Sequence, residues 1–162
     1  ASTINYTGTP VALSTTYGTA STATSIVVSG VYLTADVTVT APTGFEVSQT
    51  SATTGFATTQ TLTQSSGTLN NTTIYIRLAA TTAVSTYSGN VTLTSNGAPT
   101  INVPLVSSTV NTLGITITGI SASNKMYDGT TTATISGSAT LTRVVGSDDV
   151  SLSGTQIGRA HV

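Results

Sequence analysis

The polar residues with the most scope for chemistry form one cluster, Lys125, Tyr127, Asp128 and Gly129, in the segment K-M-Y-D-G. Asp128 is a candidate calcium ligand, and Lys125 is a candidate for an isopeptide bond. A tight turn explains the same residues, because an aspartate side chain accepts hydrogen bonds from nearby backbone amides and glycine readily adopts a positive φ. We expect a tight turn at this position instead of a calcium site or an isopeptide bond, so we interpret these four residues as a structural motif.

Two further sets of residues fit catalysis or metal binding poorly. Asp148 and Asp149 are adjacent, and neighbours in an extended segment point to opposite faces, which separates their carboxylates. A calcium ion takes about six to eight oxygen ligands, more than the sparse acidic residues supply. His161, the one histidine, lies next to the last residue, where nothing is expected to hold it as a catalytic base. We expect no catalytic residue, no metal and no cofactor.

Composition narrows the range of functions. Charged residues make up 6% of the 162 residues and the formal net charge is −1, so the chain has no basic face to follow phosphates. Nucleic-acid binding is therefore not expected. No apolar run reaches the length of a membrane span. Cysteine is absent, which excludes disulfides, thiolate chemistry and a cysteine zinc site.

The elements that position these residues are predicted to be strands. Thr, Val, Ile and Tyr favour strands, whereas strong helix formers such as Leu, Glu and Lys are scarce. The surface is solvated by hydroxyls and amides, without the lysines that commonly guard sheet edges. Such a surface favours edge-to-edge association, which is useful in a fibre or a cell-surface stalk.

The clearest strand pair spans residues 71–96. Its apolar positions alternate along two strands and are predicted to be buried: Ile74, Ile76, Leu78, Val91 and Leu93. This period of two is typical of half-buried antiparallel strands. Tyr87 precedes the second strand, where sandwich domains often have a tyrosine corner. On the opposite face, Arg77 is placed to pair with Glu46 or to contact a ligand.

Similar patterns occupy the rest of the first 110 residues. Further positions predicted to face the core are Leu33, Val37, Val39, Phe45, Val47 and Leu62, followed by Ile101, Val103 and Leu105. Pro104 suggests that the last strand lies at a sheet edge. About seven to nine short strands, separated by turn signals such as Asn96-Gly97, predict a Greek-key β-sandwich.

A second pattern of strands begins after a predicted linker at residues 111–113. Strand candidates lie at residues 114–120, 132–136, 138–145 and 149–153. A segment of about 50 residues supplies a thin core for an independent domain. The sequence therefore predicts an all-β protein, with a complete β-sandwich at residues 1–110 and a second, incomplete β-sandwich unit at residues 114–162.

Residues 11–110 resemble an immunoglobulin-like repeat. The motifs that carry the resemblance are S-G-V-Y-L-T-A-D-V-T-V-T-A-P-T-G-F-E-V-S at residues 29–48, then T-I-Y-I-R-L and T-Y-S-G-N-V-T-L-T-S. Such repeats are common in large secreted and surface proteins of Bacteroidota-type bacteria. The resemblance implies a secreted or cell-surface protein with an immunoglobulin-like Greek-key β-sandwich that serves as a spacer or adhesive module.

Residues 114–162 resemble the YDG module of bacterial haemagglutinin-like adhesins. The motifs are I-T-G-I-S-A-S-N-K-M-Y-D-G-T-T-T-A at residues 117–133 and G-S-D-D-V-S-L-S-G at residues 146–154. Modules of this family continue through a further glycine-rich half, whereas this sequence reaches only I-G-R-A-H-V. Either the sequence is an excerpt of a longer repeat protein, or a neighbouring molecule supplies the missing strands by strand addition.

These observations favour a structural module of an extracellular bacterial filament or adhesin, without catalysis. Its expected partners are copies of itself or neighbouring repeats, joined through sheet edges or by strand complementation. One alternative is a passive stalk repeat of a large single-chain surface adhesin. A second is a glycan-binding β-sandwich module that presents several of the 6 tyrosines to host or surface glycans, although such tyrosines more often cap a core.

Overall fold

The computed structural model describes residues 1–130 and 132–153, together with the backbone of residues 158–159. All regular structure in these residues is β-strand, which confirms the predicted all-β class. The strands are β1 (Thr3–Thr7), β2 (Ser14–Thr16), β3 (Thr24–Val31), β4 (Val37–Thr40), β5 (Phe45–Ser48), β6 (Thr59–Leu62), β7 (Leu69–Leu78), β8 (Ser85–Thr94), β9 (Ile101–Asn111), β10 (Thr116–Ala122), β11 (Thr132–Ala133), β12 (Ile135–Thr142) and β13 (Gly158–Arg159). No helix in this part of the chain is long and apolar enough to cross a membrane.

The chain divides into two units, Ala1–Thr112 and Leu113–Val162, called unit 1 and unit 2 below. Unit 1 contains two sheets, one with the order β1-β3-β7-β5 and the other with the order β2-β9-β8-β4-β6. Every neighbouring pair is antiparallel except β2 and β9, which run parallel. The sheets therefore join segments that are far apart in the sequence.

Side chains from both sheets form one buried core in unit 1. The predicted core positions are confirmed, because the following side chains, Leu33 in a turn and the others in strands, are all at most 4% exposed: Leu33, Val37, Val39, Phe45, Val47, Leu62, Ile74, Ile76, Leu78, Val91 and Leu93. Burial of each such side chain contributes about 1.5–3 kcal/mol relative to an exposed position. This shared core is the main source of stability in unit 1.

Strand β9 follows the predicted alternation up to a bulge. Val103 is fully buried, but Ile101 and Leu105 are only partly buried. An extra residue between Leu105 and Ser108 shifts the register of β9 against β8. Beyond this bulge, Ser108 and Val110 are the buried side chains. The predicted shared face of Ile101, Val103 and Leu105 is therefore confirmed, and the bulge ends it after Leu105.

Unit 2 consists of two short antiparallel pairs, β10 with β12 and β11 with β13. None of its side chains within residues 113–130 and 132–153 is buried. The predicted strand at residues 149–153 is wrong, because these residues have no strand structure and follow a turn at residues 146–147. A two-stranded ribbon is only marginally stable in water unless something covers its apolar side chains.

Candidate functional site

Tyr87 lies in β8, close to the connection from β7. Its hydroxyl donates a hydrogen bond of 2.9 Å to the carbonyl oxygen of Ala83. The ring packs against Gly44, which has a φ of +86°, and a Cβ at Gly44 would lie 2.6 Å from the ring. Thr82 donates a hydrogen bond of 2.7 Å to the Gly44 carbonyl. Together these contacts tie the β7–β8 connection to the turn that precedes β5.

An open pocket of about 270 Å³ adjoins Tyr87, and its lining includes Thr43, Thr58, Thr81 and Thr82. The hydroxyls of Tyr87 and Thr82 already donate to backbone carbonyls, so both are committed to holding the fold. A ligand site normally has several polar groups that converge on its centre. The observed bonds point to a structural role for this region.

Arg77 in β7 lies directly opposite Glu46 in β5. Its Nε donates to Oε1 of Glu46 at 2.7 Å, which confirms the predicted pairing of these residues. The guanidinium also lies over the ring of Phe56, 3.8 Å from the centroid, and Nη1 donates to the Thr53 carbonyl at 3.5 Å. The ion pair contributes about 0–1 kcal/mol and the ring contact about 0.5–1 kcal/mol. These partners hold Arg77 against the sheet.

The residues Lys125, Asp128, Gly129, Thr130 and Thr132 form a hydrogen-bonded turn, called the Lys125 turn below. Asp128 Oδ1 accepts bonds of 2.9 Å from both the backbone amide and the hydroxyl of Thr130. The Lys125 ammonium lies 2.7 Å from the same oxygen. It also donates to the Thr130 hydroxyl at 2.7 Å and to the Thr132 carbonyl at 2.8 Å. Gly129 has a φ of +77°, a conformation that glycine adopts without strain.

The electrostatics of the Lys125 turn favour an ionised carboxylate. The hydrogen bond from Lys125, followed by those from the Thr130 amide and hydroxyl, lowers the pKa of Asp128 from 3.8 to about 2. The Lys125 amine is already held by the Asp128 carboxylate, the Thr130 hydroxyl and the Thr132 carbonyl. The neighbouring Tyr127 side chain is 83% exposed. Among the residues that the structure describes, no three His, Cys, Asp or Glu side chains could hold a metal ion together.

The remaining acidic candidates lie on an exposed turn. Asp148 and Asp149 are both exposed, and the Asp148 amide donates to the Val145 carbonyl at 3.1 Å. His161 lies outside the described residues. The turn at residues 146–147 immediately precedes these aspartates, and neither of them lies in a strand.

The tyrosines of unit 1 do not form a common platform. Tyr6, Tyr17 and Tyr87 pack against the core, as the core-capping interpretation expects. Tyr32 is 75% exposed, and it is the one widely exposed tyrosine in Ala1–Thr112. These positions favour the core-capping interpretation for Tyr6, Tyr17 and Tyr87.

The edge of unit 1 formed by β5 and β6 is closed by hydrogen bonds. The backbones of Val47 and Ala57 exchange bonds of 2.8 and 2.9 Å. Gln60 Nε2 donates to the Val47 carbonyl at 3.0 Å, and Gln49 Nε2 donates to the Thr61 carbonyl at 3.0 Å. These bonds occupy backbone groups that a partner strand would otherwise use.

The edge formed by β9 is partly open. β2 covers β9 only at residues 109–111, and the earlier part of β9 has β8 on one side and no other described strand beside it. Pro104 lies in this uncovered part, which confirms its predicted edge position. An open pocket of about 290 Å³ along this edge is lined by Tyr6, Pro10, Leu105 and neighbouring residues. Pro104 has no amide hydrogen, so it removes one donor from the edge.

Strands β10 and β12 of unit 2 form a ribbon whose apolar pairs are exposed or only partly buried. Ile117 lies opposite Leu141, and Ala122 lies opposite Ile135. Ile117 is 53% exposed and Ile120 is 41% exposed. Neither strand contains a charged residue or a proline, the residues that commonly protect strand edges. The ribbon therefore presents apolar side chains and unprotected backbone edges together.

The ribbon and the Lys125 turn both fall within a segment that matches a known family. Residues 111–160 match the YDG domain. This match confirms the predicted YDG resemblance, and it begins at Asn111, the last residue of β9. No curated protein and no solved structure matches the chain. The immunoglobulin-like resemblance of unit 1 stays a prediction.

Several residues that position these features have no signal in the sequence. Phe56 lies in a loop and contacts Arg77 only because the fold brings that loop over β7. The buried hydroxyls of Ser108 and Ser21 accept hydrogen bonds of 2.9 Å from backbone amides elsewhere in unit 1. The chain is rich in Ser and Thr, so the spacing of these residues cannot identify the few hydroxyl groups that accept a hydrogen bond from a backbone amide in place of a carbonyl.

Proposed function

We propose that this protein is a structural module of an extracellular bacterial filament or adhesin, without catalytic activity. Unit 1 serves as an immunoglobulin-like spacer, and unit 2 is a YDG-like domain that associates through its strand edges. The YDG match supports the assignment of unit 2. The Lys125 turn supports a structural role for the K-M-Y-D-G motif, because its charged groups bind each other.

The strand order of unit 1 supports the immunoglobulin-like interpretation. Immunoglobulin domains order strands A, B, E and D in one sheet, and strands C, F and G form the other. The orders β1-β3-β7-β5 and β9-β8-β4 follow this pattern. Tyr87 adds the hydrogen bond of a tyrosine corner, near the start of the strand equivalent to F. One departure concerns β6. This strand pairs with β4, the equivalent of strand C, but it follows β5, the equivalent of strand D, in the sequence.

The exposed apolar pairs of the β10–β12 ribbon carry the proposal of association. Apolar surface that remains exposed often marks a protein–protein contact. An added strand would hydrogen-bond to the ribbon backbone and could cover Ile117 and Leu141. Because both side chains are already partly covered, further burial would contribute only part of the about 1.5–3 kcal/mol that full burial of such a side chain gives. The proposed partner is a copy of this chain or a neighbouring repeat, whose uncharged strands fit an uncharged edge.

Sedimentation velocity on the full chain at increasing concentration tests this proposal. We expect the mass to rise above the 16.2 kDa of a single chain. The double variant Ile117→Thr and Leu141→Thr keeps strand-forming residues but removes most of the apolar surface of one cross-strand pair. It should associate much more weakly than the parent.

A matched control changes the neighbouring cross-strand pair, Thr118 and Thr140. Because adjacent residues of a strand point to opposite faces, Thr118→Ser with Thr140→Ser alters the other face of the same ribbon. This control should associate like the parent. Equal sedimentation of the parent, the apolar variant and the control would overturn the proposed contact.

A passive stalk repeat of a large single-chain surface adhesin is the second candidate. The closed β5–β6 edge and the shared core favour it, because a stalk repeat must keep its shape without a partner molecule. This candidate predicts a chain that sediments as a monomer at every concentration.

A further inference from the structure

The turn between β8 and β9 contains Asn96 followed by Gly97, and nowhere else in the sequence does glycine follow asparagine. Both residues are exposed. The Ala98 amide donates to the Ser95 carbonyl at 3.1 Å and closes a β-turn around them. Gly97 has a φ of +79°, which a type II turn requires at its third residue and which glycine adopts without strain. Asn96 therefore lies in solvent beside a residue that has no side chain.

An asparagine that precedes a glycine can modify itself. The glycine nitrogen attacks Cγ of the asparagine, and no side chain on the glycine obstructs the approach. A bond forms between this nitrogen and Cγ, the bond from Cγ to Nδ2 breaks, and Nδ2 leaves as ammonia with the proton of the glycine amide. Water then opens the cyclic imide at either carbonyl, which gives aspartate or isoaspartate. Overall, an amide and water give a carboxylic acid and ammonia, so the reaction needs no oxidant and no other reactant.

The two groups that would react are not engaged elsewhere. Within the part of the chain that the structure describes, the Gly97 amide donates no hydrogen bond and the Asn96 side chain forms none. Attack of this nitrogen on this side chain therefore costs neither group an existing bond.

Thr34, in the connection from β3 to β4, holds the backbone of this turn. Its hydroxyl donates to the Asn96 carbonyl oxygen at 2.8 Å. The same hydroxyl oxygen lies over Gly97, 3.4 Å from the position that a Cβ would take. Beside it, Ser95 Oγ donates to the Ala35 carbonyl at 2.8 Å. The turn is thereby tied to a second connection of unit 1.

The hydrogen bond from Thr34 opposes the reaction. The Asn96 carbonyl and the Gly97 nitrogen belong to one rigid peptide plane. In a type II turn this nitrogen lies away from the Asn96 side chain, so the plane must rotate before the ring can close. Rotation carries the carbonyl oxygen away from the Thr34 hydroxyl and breaks their bond.

We propose that Asn96 is a site of spontaneous deamidation, and that the Thr34 hydroxyl slows the reaction by holding the peptide plane between Asn96 and Gly97. The inference goes beyond the proposed structural role and does not depend on it, because the reaction uses only atoms of the turn and water. In a long-lived filament or stalk, such a slow reaction has time to accumulate.

Each reacted turn changes in both charge and geometry. The new carboxylate adds a negative charge to a chain whose formal net charge is −1. Isoaspartate also routes the backbone through the former side chain, which lengthens the turn and displaces the Ala98 amide from the Ser95 carbonyl. Leu93 and Ile101 form the ladder pair nearest the turn, so this end of the β8–β9 hairpin is expected to loosen.

Peptide mass spectrometry after incubation of the folded full chain tests the proposed site. We expect conversion of amide to acid at Asn96, faster at higher pH because the attacking nitrogen must lose its proton. Asn90 and Asn102 are exposed asparagines in β8 and β9, and they should stay unchanged over the same period. Conversion at Asn96 that is no faster than at these two residues would overturn the proposed site.

Thr34→Val tests the role of the hydroxyl, because it nearly keeps the shape of the side chain. It should raise the rate at Asn96 in the folded chain by about two- to tenfold, the factor for one net hydrogen bond. Thr100→Val is the matched control, since Thr100 is also exposed and follows the same turn, but its hydroxyl does not bond to Asn96. This control should react at the rate of the parent. Equal rates for the parent and Thr34→Val would overturn the protective role of Thr34.

Incubation in denaturant separates the hydrogen bond from the local sequence. The parent, Thr34→Val and Thr100→Val should then all react at one common and faster rate, because the bond exists only in the folded unit. A difference between the parent and Thr34→Val that persisted in denaturant would overturn the proposed mechanism. Conversion at Asn90 and Asn102 in folded Thr34→Val would also overturn it, because general unfolding would then explain the faster reaction.

Discussion

At the scale of single residues, two ion pairs, Arg77 with Glu46 and Lys125 with Asp128, engage four of the charged side chains. Arg77 is held by Glu46 and Phe56, and Lys125 is held by Asp128 and the Thr132 carbonyl. A ligand would have to break these contacts before it could use the same groups, which reduces its net gain. The observed pairing therefore agrees with a structural role for both basic residues.

Asp128 is expected to titrate at unusually low pH. Its folded-state pKa of about 2 lies below the ordinary 3.8, since Lys125 and Thr130 favour the charged form. The carboxylate therefore stabilises the Lys125 turn above pH 3.8, and this contribution is lost as the pH falls from 3.8 through about 2. A carboxyl-detected NMR titration measures the pKa, and Lys125→Met should raise it towards 3.8. An unchanged pKa in the variant would contradict the hydrogen-bond network.

Tyr87→Phe removes the hydroxyl that donates to Ala83 and keeps the ring on Gly44. We expect the free energy of unfolding of unit 1 to fall by about 1 kcal/mol, the usual net value of one hydrogen bond. Denaturant unfolding monitors the change. Tyr32→Phe is the control, because that side chain is 75% exposed. If both variants lost the same free energy, the corner hydrogen bond would not be the cause.

At the scale of elements, the sequence predicts regular strands well and irregular ones poorly. Alternation identifies the buried faces of β4, β5, β7 and β8, because local side-chain pattern alone sets those faces. The bulge in β9 immediately precedes Ser108, whose hydroxyl accepts a hydrogen bond from the distant Leu13 amide, a contact that local pattern does not encode. Residues 149–153 have an alternating pattern but no strand structure, because a strand also needs a partner, which local pattern does not encode.

Gly137→Ala tests the irregular centre of the β10–β12 ribbon. Gly137 has a φ of +96°, and a Cβ there would collide with the carbonyl oxygen of Gly119. Such strain costs about 1–3 kcal/mol, more than a two-stranded ribbon can readily offset, so we expect the ribbon to open. Backbone NMR shifts of β10 and β12 report the change.

Gly114→Ala is the matched control in the same unit, because a Cβ at Gly114 meets no atom within 4 Å. The shifts of β10 and β12 should be nearly those of the parent in this variant. If Gly137→Ala also kept the backbone NMR shifts of the parent in β10 and β12, the observed register of these two strands, which brings Gly137 against Gly119, would be contradicted.

At the scale of the whole molecule, the two units differ in what stabilises them. Unit 1 buries one core shared by two sheets, whereas no side chain described in unit 2 is buried. The sequence predicts this contrast in part, because about 50 residues supply only a thin core. Which apolar side chains stay exposed depends on the pairing of β10 with β12 and on the bulge between them, and neither follows from local pattern.

Hydrogen exchange at low protein concentration should separate the two units. Amides in β7 and β8 are expected to exchange only through global unfolding of unit 1, because these strands face its core. Amides in β10 and β12 are expected to exchange much faster, through local opening of an uncovered ribbon. Mass spectrometry of the peptides resolves the two classes. Similar protection in both units would argue against the difference in packing.

Association of unit 2 through β10 and β12 is tested most directly by the same hydrogen-exchange measurement at rising protein concentration. A partner strand would hydrogen-bond to the ribbon and cover its apolar pairs, so we predict increasing protection of β10 and β12. Protection of β7 should stay constant. Exchange from β10 and β12 that does not change with concentration, in a chain that sediments at 16.2 kDa throughout, would contradict the proposed role.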